Sequence, residues 1–400
     1  MVDRSFAVPF IHRLRFTEGV FRAGNDTLPL LLERDERGPA RVMVVFDEGL
    51  LHAAPTLVND ARAFIESHAD IAPAGPIITI PGGETCKNDR AVLDRLLEAM
   101  HRERLCRRSY VLVVGGGAVL DVVGYAAAIF QRGIRLIRVP STTLAQADSG
   151  VGVKNAVNAF GTKNLLGTFA PPWAVVNDER LLRHLSDEHW RDGFSEAVKV
   201  ALLKDAPFYH ELRANAARLR DRDPAAAIPA VRRSATLHLQ HITGGGDPFE
   251  FRHARPLDFG HWAAHKLEQM TGFALSHGHA VSIGVALDCL YAEFMGEAEA
   301  GLADEVAGCL ATIGLPVWHP MLAQTGALLA GLEEFREHLG GMLTVTMVRS
   351  PGVAFDVHYI DPDTMTRAAA GLADIDAALR RTVPDNPPSS SSNQQARCAT

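Results

Sequence analysis

The chain reads as a parallel α/β unit over residues 1–182 joined to a mainly helical unit over 183–382. Three observations predict this. Short β-branched runs alternate with helical segments as far as Val176, the pattern of βαβ units. The run Tyr110–Val114 meets three glycines, Gly115–Gly117, and then a helical segment, Ala118–Phe130. From about Asp187 strand signals nearly vanish, and alanine- and leucine-rich segments with 3.6-residue spacing take over.

Taken in order, Phe6–Phe10 is a strand candidate, and a charged connector follows around Glu33–Gly38. Val42–Phe46 is a β-branched strand ending at Asp47, the usual place for an acid that meets a cofactor ribose. Leu51–His68 has helical spacing and Ile77–Ile80 reads as a strand. The segment from Pro81 then makes a glycine turn and a helix carrying Glu84 and Lys87. The glycines at 115–117 let the backbone approach an anion, and the helix after them offers free N–H groups and a positive dipole end, as a diphosphate requires. A further strand, Arg135–Val139, ends in Pro-Ser-Thr-Thr. Beyond it Asp148, Lys154, Asn158, Lys163 and Asn164 crowd a glycine-rich stretch that is poor core material and suits phosphate and polyol. In the second half helices are expected at Phe194–Lys204, Ala225–Leu239, His261–Met270, Ala280–Phe294 and Leu302–Ile313, with a late strand or hairpin at Leu343–Val348. The Pro/Ser/Gln-rich tail, residues 383–400, has the composition of a disordered segment.

The chain is 47% hydrophobic and 22% charged, with a net charge of -7 dispersed along it, so no basic block argues for nucleic acid. No apolar run approaches a membrane span, and the N-terminus lacks a signal-peptide core. Five scattered cysteines without CxxC spacing fit reduced thiols in a cytoplasmic enzyme.

Glu196, His261 and His277 offer one carboxylate and two imidazoles, a set suited to catalytic zinc. His261 and His265, at i,i+4, could equally be the ligand pair. With 17 histidines in the chain, some fall near each other by chance. Glu196 and Lys199 at i,i+3 could be a plain ion pair, Asp121 could serve only its helix dipole, and Lys154 or Lys163 alone would read as a solvated loop charge.

Taken together, these motifs resemble the sugar phosphate cyclase superfamily, typified by 3-dehydroquinate synthase. PGGExxK lies at Pro81–Lys87, GGGxxxDxxGxxA at Gly115–Ala127, and RGxxxxxxPxTxxAxxDSxVGxKxAVNxxxxKN at Arg132–Asn164. ExxK follows at Glu196–Lys199, GHxxxH ends at His265, and HG is His277–Gly278. The resemblance implies a Rossmann-like NAD-binding domain followed by a helical metal-binding domain. Asp47, Glu84, Lys87, Gly115, Gly116, Gly117, Asp121, Ser141, Thr142, Thr143 and Lys163 would hold NAD. Glu196, His261 and His277 would hold zinc or cobalt. Asp148, Lys154, Asn164, Lys199 and His265 would face a sugar phosphate, and Arg132 would reach the phosphate in the neighbouring subunit of a homodimer.

The departures bear on the substrate. Where dehydroquinate synthases place a lysine and an arginine for a substrate carboxylate, this chain has Gln240 and Ala254, with Arg255 adjacent, and their asparagine is Asp258. Two cations lost and an acid gained disfavour a carboxylate and suit a neutral hydroxyl. The segment Phe335–Gly341 resembles the branch that cyclises sedoheptulose 7-phosphate, where Arg336 and His338 would close over the phosphate. Within this resemblance the 2-epi-5-epi-valiolone enzymes carry a proline where this chain has His265, which implies 2-epi-valiolone as the favoured product and 2-epi-5-epi-valiolone as the alternative. Competing readings are 3-dehydroquinate synthase, an NAD- and metal-dependent alcohol or glycerol dehydrogenase, and a non-catalytic nucleotide-binding descendant.

Overall fold

Apolar runs without polar alternation need cover on both faces, which a parallel sheet between helices provides. The computed structural model describes residues 2–33, 38–245, 247–251 and 255–382. Ala254, part of the charged connector before Gly38, and the tail at 383–400 lie outside the described residues. The strands of the first half are β1 (Leu14–Thr17), β2 (Ala40–Asp47), β3 (Ile71–Pro73), β4 (Ile78–Ile80), β5 (Tyr110–Gly115), β6 (Arg135–Pro140), the hairpin pair β7 (Lys154–Ala159) and β8 (Thr162–Phe169), and β9 (Ala174–Asp178). Seven of them form one sheet in the order β1-β9-β6-β5-β2-β3, with β4 also beside β2, and every pairing is parallel. Alternate residues feed two cores. Met43, Val45, Val111 and Val113 pack under the helices Arg90–Arg102 and Gly117–Ile129, while Val44, Phe46, Leu112 and Val114 meet Phe21, Phe64 and Ile65.

Three local expectations change. Phe6–Phe10 forms no strand; Pro9 has no N–H to give a ladder, and the sheet edge is taken by β1. Leu51–His68 is two helices, Glu48–Ala53 and Leu57–Glu66, broken at Ala54-Pro55, where proline's missing N–H and ring interrupt the turn. The glycine-rich stretch after Val153 contains the antiparallel β7–β8 hairpin, which folds back onto the helix Gly117–Ile129. Gly124 on that helix explains the fit, because a Cβ there would stand 1.8 Å from Asn155 Oδ1 on β7.

The second half is helical apart from a hairpin, β10 (Val345–Ser350) and β11 (Val353–Val357). Its helices include Asp187–Lys204, Pro224–Gly244, His261–Met270, His277–Phe294, Leu302–Ile313, Thr325–His338 and Pro362–Thr382. No helix among the described residues is long and apolar enough to cross a membrane. At the centre the helices His261–Met270 and His277–Phe294 touch backbone to backbone. Gly260, with φ +76°, sits against Gly284, and a Cβ on Gly284 would lie 2.0 Å from Gly260 O. Gly284→Ala should therefore push apart the two helices that carry His261 and His277. The expected loss is about 1–3 kcal/mol of stability, measured by denaturant unfolding, together with weaker zinc uptake; an unchanged midpoint and unchanged uptake would show that the contact is slack.

Candidate active site

The glycine turn lies where β5 ends and the helix Gly117–Ile129 begins, with Gly116 as the extended N-cap. No side chain caps this helix, so its first N–H groups are left open to a ligand, the arrangement an anion uses. The cradle has no room for side chains. A Cβ on Gly115 would meet Val119 Cγ1 at 2.8 Å, one on Gly117 would meet Ser149 Oγ at 2.9 Å, and one on Gly82 would meet Asp47 Oδ1 at 2.4 Å. Asp47 accepts from Gly49 N (2.8 Å) and Gly116 N (3.3 Å), which ties the end of β2 to the turn. Lys87 is buried beside this cradle. Its ammonium is 2.8 Å from Asp121 Oδ2 and 4.0 Å from Glu84 Oε1, and it donates to Asn164 Oδ1. Asn158 in turn donates to Glu84 Oε1 (2.9 Å). Asp121 thus has a lysine partner beyond any role toward its helix dipole. Asn164, expected among the sugar ligands, stands at the junction with the cofactor residues.

The Ser-Thr-Thr turn after β6 splits in function. Ser141 N–H donates to Gly115 O (2.9 Å) and Thr142 Oγ1 accepts from Ala145 N (3.0 Å). Thr143 departs from the expectation that it meets the cofactor. Its hydroxyl is fully buried, sharing its one hydrogen between His189 O and Trp190 O (both 2.9 Å) and accepting from Gly193 N (3.2 Å). It bolts the sheet domain onto the helix Asp187–Lys204, because an apolar methyl and a hydroxyl together suit a dry helix contact.

That helix carries Glu196 and Lys199, both buried. Lys199 Nζ lies 2.5 Å from Glu196 Oε2, and His261 Nε2 and His277 Nε2 each lie 3.4 Å from Glu196 Oε1. Neither Glu196 oxygen makes a well-directed hydrogen bond, although both are cut off from water. Burial pushes Glu196 up, but Lys199 and then His261 more than offset this and hold it well below the usual carboxylate range. One carboxylate and two imidazoles converging with unsatisfied lone pairs fit a zinc or cobalt ion. His265, His277 and Glu268 form a second, overlapping group.

Two residues not singled out in the sequence aim these ligands. Asp288, buried on the helix His277–Phe294, accepts from Gly260 N (3.0 Å) and Trp262 Nε1 (2.9 Å), fixing the start of the helix that bears His261; burial pushes it up to about 7. Glu268 Oε2 is 3.3 Å from His277 Nδ1 and Oε1 is 2.8 Å from Lys163 Nζ, so Lys163 lies on the metal side of the cleft. A carboxylate behind a ligand imidazole sets its tautomer and orientation.

Toward the substrate side, Asp148 rides on a π-helical turn, Ala145–Ser149, a form frequent at functional sites. Burial and Glu196 push Asp148 up, yet His238 and Lys199 outweigh them and hold it below its ordinary value. Lys154 Nζ is 2.6 Å from Glu250 Oε1, and Arg255 Nη1 is 3.7 Å from Glu250 Oε2. Asp258 is desolvated, but Lys154, His261, Arg255 and His265 around it keep it low. His265 and His277 stack with ring centroids 5.9 Å apart. Gln240 is exposed. Arg132 is exposed with φ +62° and meets none of these residues. Arg336, expected over a phosphate, pairs with Glu333 on its own helix and donates to Gly341 O (3.1 Å). His338 ends that helix, and its side chain lies outside what is described.

Comparisons with known proteins agree with this geometry. Residues 77–192 match the 3-dehydroquinate synthase N-terminal family and residues 193–334 the 3-dehydroquinate synthase C-terminal family. The chain is 33% identical to a 3-dehydroquinate synthase of Paracoccus denitrificans, over 89% of this chain and 95% of that one. It is 34% identical to a 2-epi-5-epi-valiolone synthase of Streptomyces glaucescens, over 77% of this chain and 79% of that one. Among solved structures it is similar to ValA, a 2-epi-5-epi-valiolone synthase from Streptomyces hygroscopicus subsp. jinggangensis with NAD+ and Zn2+ bound: TM-score 0.83, 26% identity, 93% of this chain and 99% of that one. The fold is shared with a glycerol dehydrogenase from Schizosaccharomyces pombe, at TM-score 0.63 and 12% identity over 95% of this chain and 93% of that one.

The Glu268 contact yields a direct test. Glu268→Gln should keep the fold but weaken zinc binding about 10–100-fold, read by competition with a chromogenic chelator. Wild-type zinc affinity in that variant would remove Glu268 from the support of His277.

Proposed function

The chain belongs to the 3-dehydroquinate synthase family and is a sugar phosphate cyclase of that family; on this premise we propose that it converts sedoheptulose 7-phosphate to a C7 cyclitol and phosphate, with 2-epi-valiolone as the favoured product. The observation that carries the substrate choice is the surroundings of Asp258. Two acids, Asp258 and Glu250, stand among Lys154 and Arg255, and Glu250 already engages both cations. A substrate carboxylate brought there would meet fixed negative charge, whereas a hydroxymethyl ketone end gives hydroxyls that acids accept.

When bound, NAD supplies a hydride acceptor that is regenerated within the cycle, and a zinc or cobalt ion held by Glu196, His261 and His277 supplies a Lewis acid beside the hydroxyl being oxidised. The residues of the chain would do the rest. The N–H groups at Gly116–Gly117 and the start of their helix would cradle the dinucleotide diphosphate, and Asp47 would take its ribose. Lys199 and His265, joined by Lys154 when it turns from Glu250, would donate to the phosphate as its ester bond breaks, offsetting the charge that gathers there. Asp148 and Asn164 would orient the hydroxyls of the sugar. The elimination would take the proton beside the oxidised carbon together with phosphate, the hydride would then return, and ring opening would free an enolate, so that closure of the carbocycle needs only that it and the far ketone stay together in a cleft that excludes water. Arg132 would complete the phosphate site of a second subunit, which makes the working unit a homodimer.

The second reading, 3-dehydroquinate synthase, draws on Arg255, a cation at the carboxylate end, and on relatives of equal identity. Incubation with sedoheptulose 7-phosphate and, separately, with 3-deoxy-arabino-heptulosonate 7-phosphate separates them. Phosphate release from the first alone is expected, with no net NADH absorbance; release from the second alone would overturn the cyclitol assignment, and steady NADH production would favour a dehydrogenase. Glu196→Ala and His277→Ala are each expected to lose bound metal and at least about 100-fold in turnover together.

A further inference from the structure

Asp148 is the acid in the cleft whose charge is opposed by another acid, Glu196. A carboxylate so placed turns away or takes a proton unless something holds it. Among the described residues, the side chain within ion-pair distance of it is His238, whose Nδ1 lies 2.7 Å from Asp148 Oδ1. The two come from different halves of the molecule. Asp148 is on the π-helical turn after β6, and His238 is on the helix Pro224–Gly244. One turn earlier on the same face, Ser234 donates its hydroxyl to Ala147 O (3.3 Å), so the helix grips the turn at two points. The ring has little freedom, because His238 is 9% exposed.

The other charged groups nearby are committed elsewhere. Arg138 on β6 donates to Gly150 O (3.1 Å), Gly152 O (2.8 Å), Lys154 O (2.8 Å) and Asn155 Oδ1 (2.6 Å). His12 is bonded to Val151 O (2.7 Å), Lys199 to Glu196, and His241 lies beyond His238 toward Lys204. Arg138 and His12 thus hold the backbone of the 150–155 segment, and the Asp148 side chain is left to His238.

We propose that His238 is a positioning residue for the cyclisation: reaching across from the helical half, its imidazole keeps the Asp148 carboxylate turned toward the Glu196–Lys199 pair, where the sugar hydroxyls bind. The proposal rests on the cyclase reading, in which Asp148 orients the substrate. It also means that the sugar-orienting acid is in place only while the two halves are docked.

The test compares His238→Leu with His238→Asn, whose side-chain amide can stand where the ring Nδ1 does. In the holoenzyme, His238→Leu should lower kcat about 100-fold, with zinc stoichiometry and NAD affinity unchanged, and His238→Asn should recover most of the loss. A crystal structure of His238→Leu should show the Asp148 side chain swung from its wild-type rotamer. Wild-type kcat in His238→Leu, no recovery in His238→Asn, or a loss that tracks zinc content would overturn the proposal. If His238→Leu does not fold, the His238→Asn kinetics and the Asp148 rotamer in that variant decide. If wild-type enzyme releases phosphate from neither heptulose phosphate, the cyclase reading fails by itself, and an unmoved Asp148 in the variant crystals would refute the role of His238 separately.

Discussion

The rest of the site depends on a carboxylate that has no water. Glu196 is buried in the middle of a helix, and an ionised acid there is expensive unless opposite charge surrounds it. Lys199, one turn along, supplies part of that charge from the same helix, and two imidazoles from two other helices face the remaining lone pairs. Each neighbour is itself braced: Asp288 sets the helix of His261, Glu268 backs His277, and Ser276 at the head of the His277 helix donates to Asp192 Oδ1 (2.8 Å). The interior of the second half is built so that the first residues of two helices, His261 and His277, meet one carboxylate on a third.

The close helix contacts follow from the same requirement. Ligand atoms within 4.8 Å of one another demand backbones that nearly touch, and glycine is the residue that permits it. Gly260 and Gly284 do this between two helices. Gly278 does it against Asp192, where a Cβ would lie 2.5 Å from the carbonyl oxygen. On the cofactor side, Gly82, Gly115 and Gly117 let the Asp47, Val119 and Ser149 side chains close in on the turn. The same device serves both halves, against backbone in the helical one and against side chains in the sheet one.

Much of the architecture was legible in the sequence because its signals are local. Uninterrupted β-branched runs gave the strands β2, β5 and β6, and the helices His261–Met270 and Leu302–Ile313 have the limits that their spacing predicts. The β7–β8 hairpin was obscured because its composition, rich in Gly, Asn and Lys, is that of a loop; it is held by packing on the helix Gly117–Ile129. Among the site residues, those in ordered motifs could be read from spacing. Glu268, Asp288, Glu250 and His238 could not, since each acts across a contact between segments far apart in the chain, and nothing around Glu268 distinguishes it from a surface acid until Lys163 and His277 meet it. Thr143 illustrates the converse: a hydroxyl in a cofactor-like turn whose partners are the carbonyls of another helix. Arg336 carries a motif whose side chain lies on the surface beside Glu333.

The Thr143 junction has a mechanical corollary. The turn after β6 and the helix Asp187–Lys204 are joined there by three hydrogen bonds, and a Cβ on Gly193 would be 2.3 Å from the Thr143 carbonyl carbon, so the two surfaces cannot slide past each other. Any rocking of the halves must swivel about this fulcrum. Displacement then grows with distance from it, and Glu196, less than one turn from Gly193, sits almost on the axis. The hairpin lysines Lys163 and Lys154 clasp Glu268 and Glu250 of the helical half as well, so a parting of the halves would have to break those ion pairs while the Thr143 junction stays made.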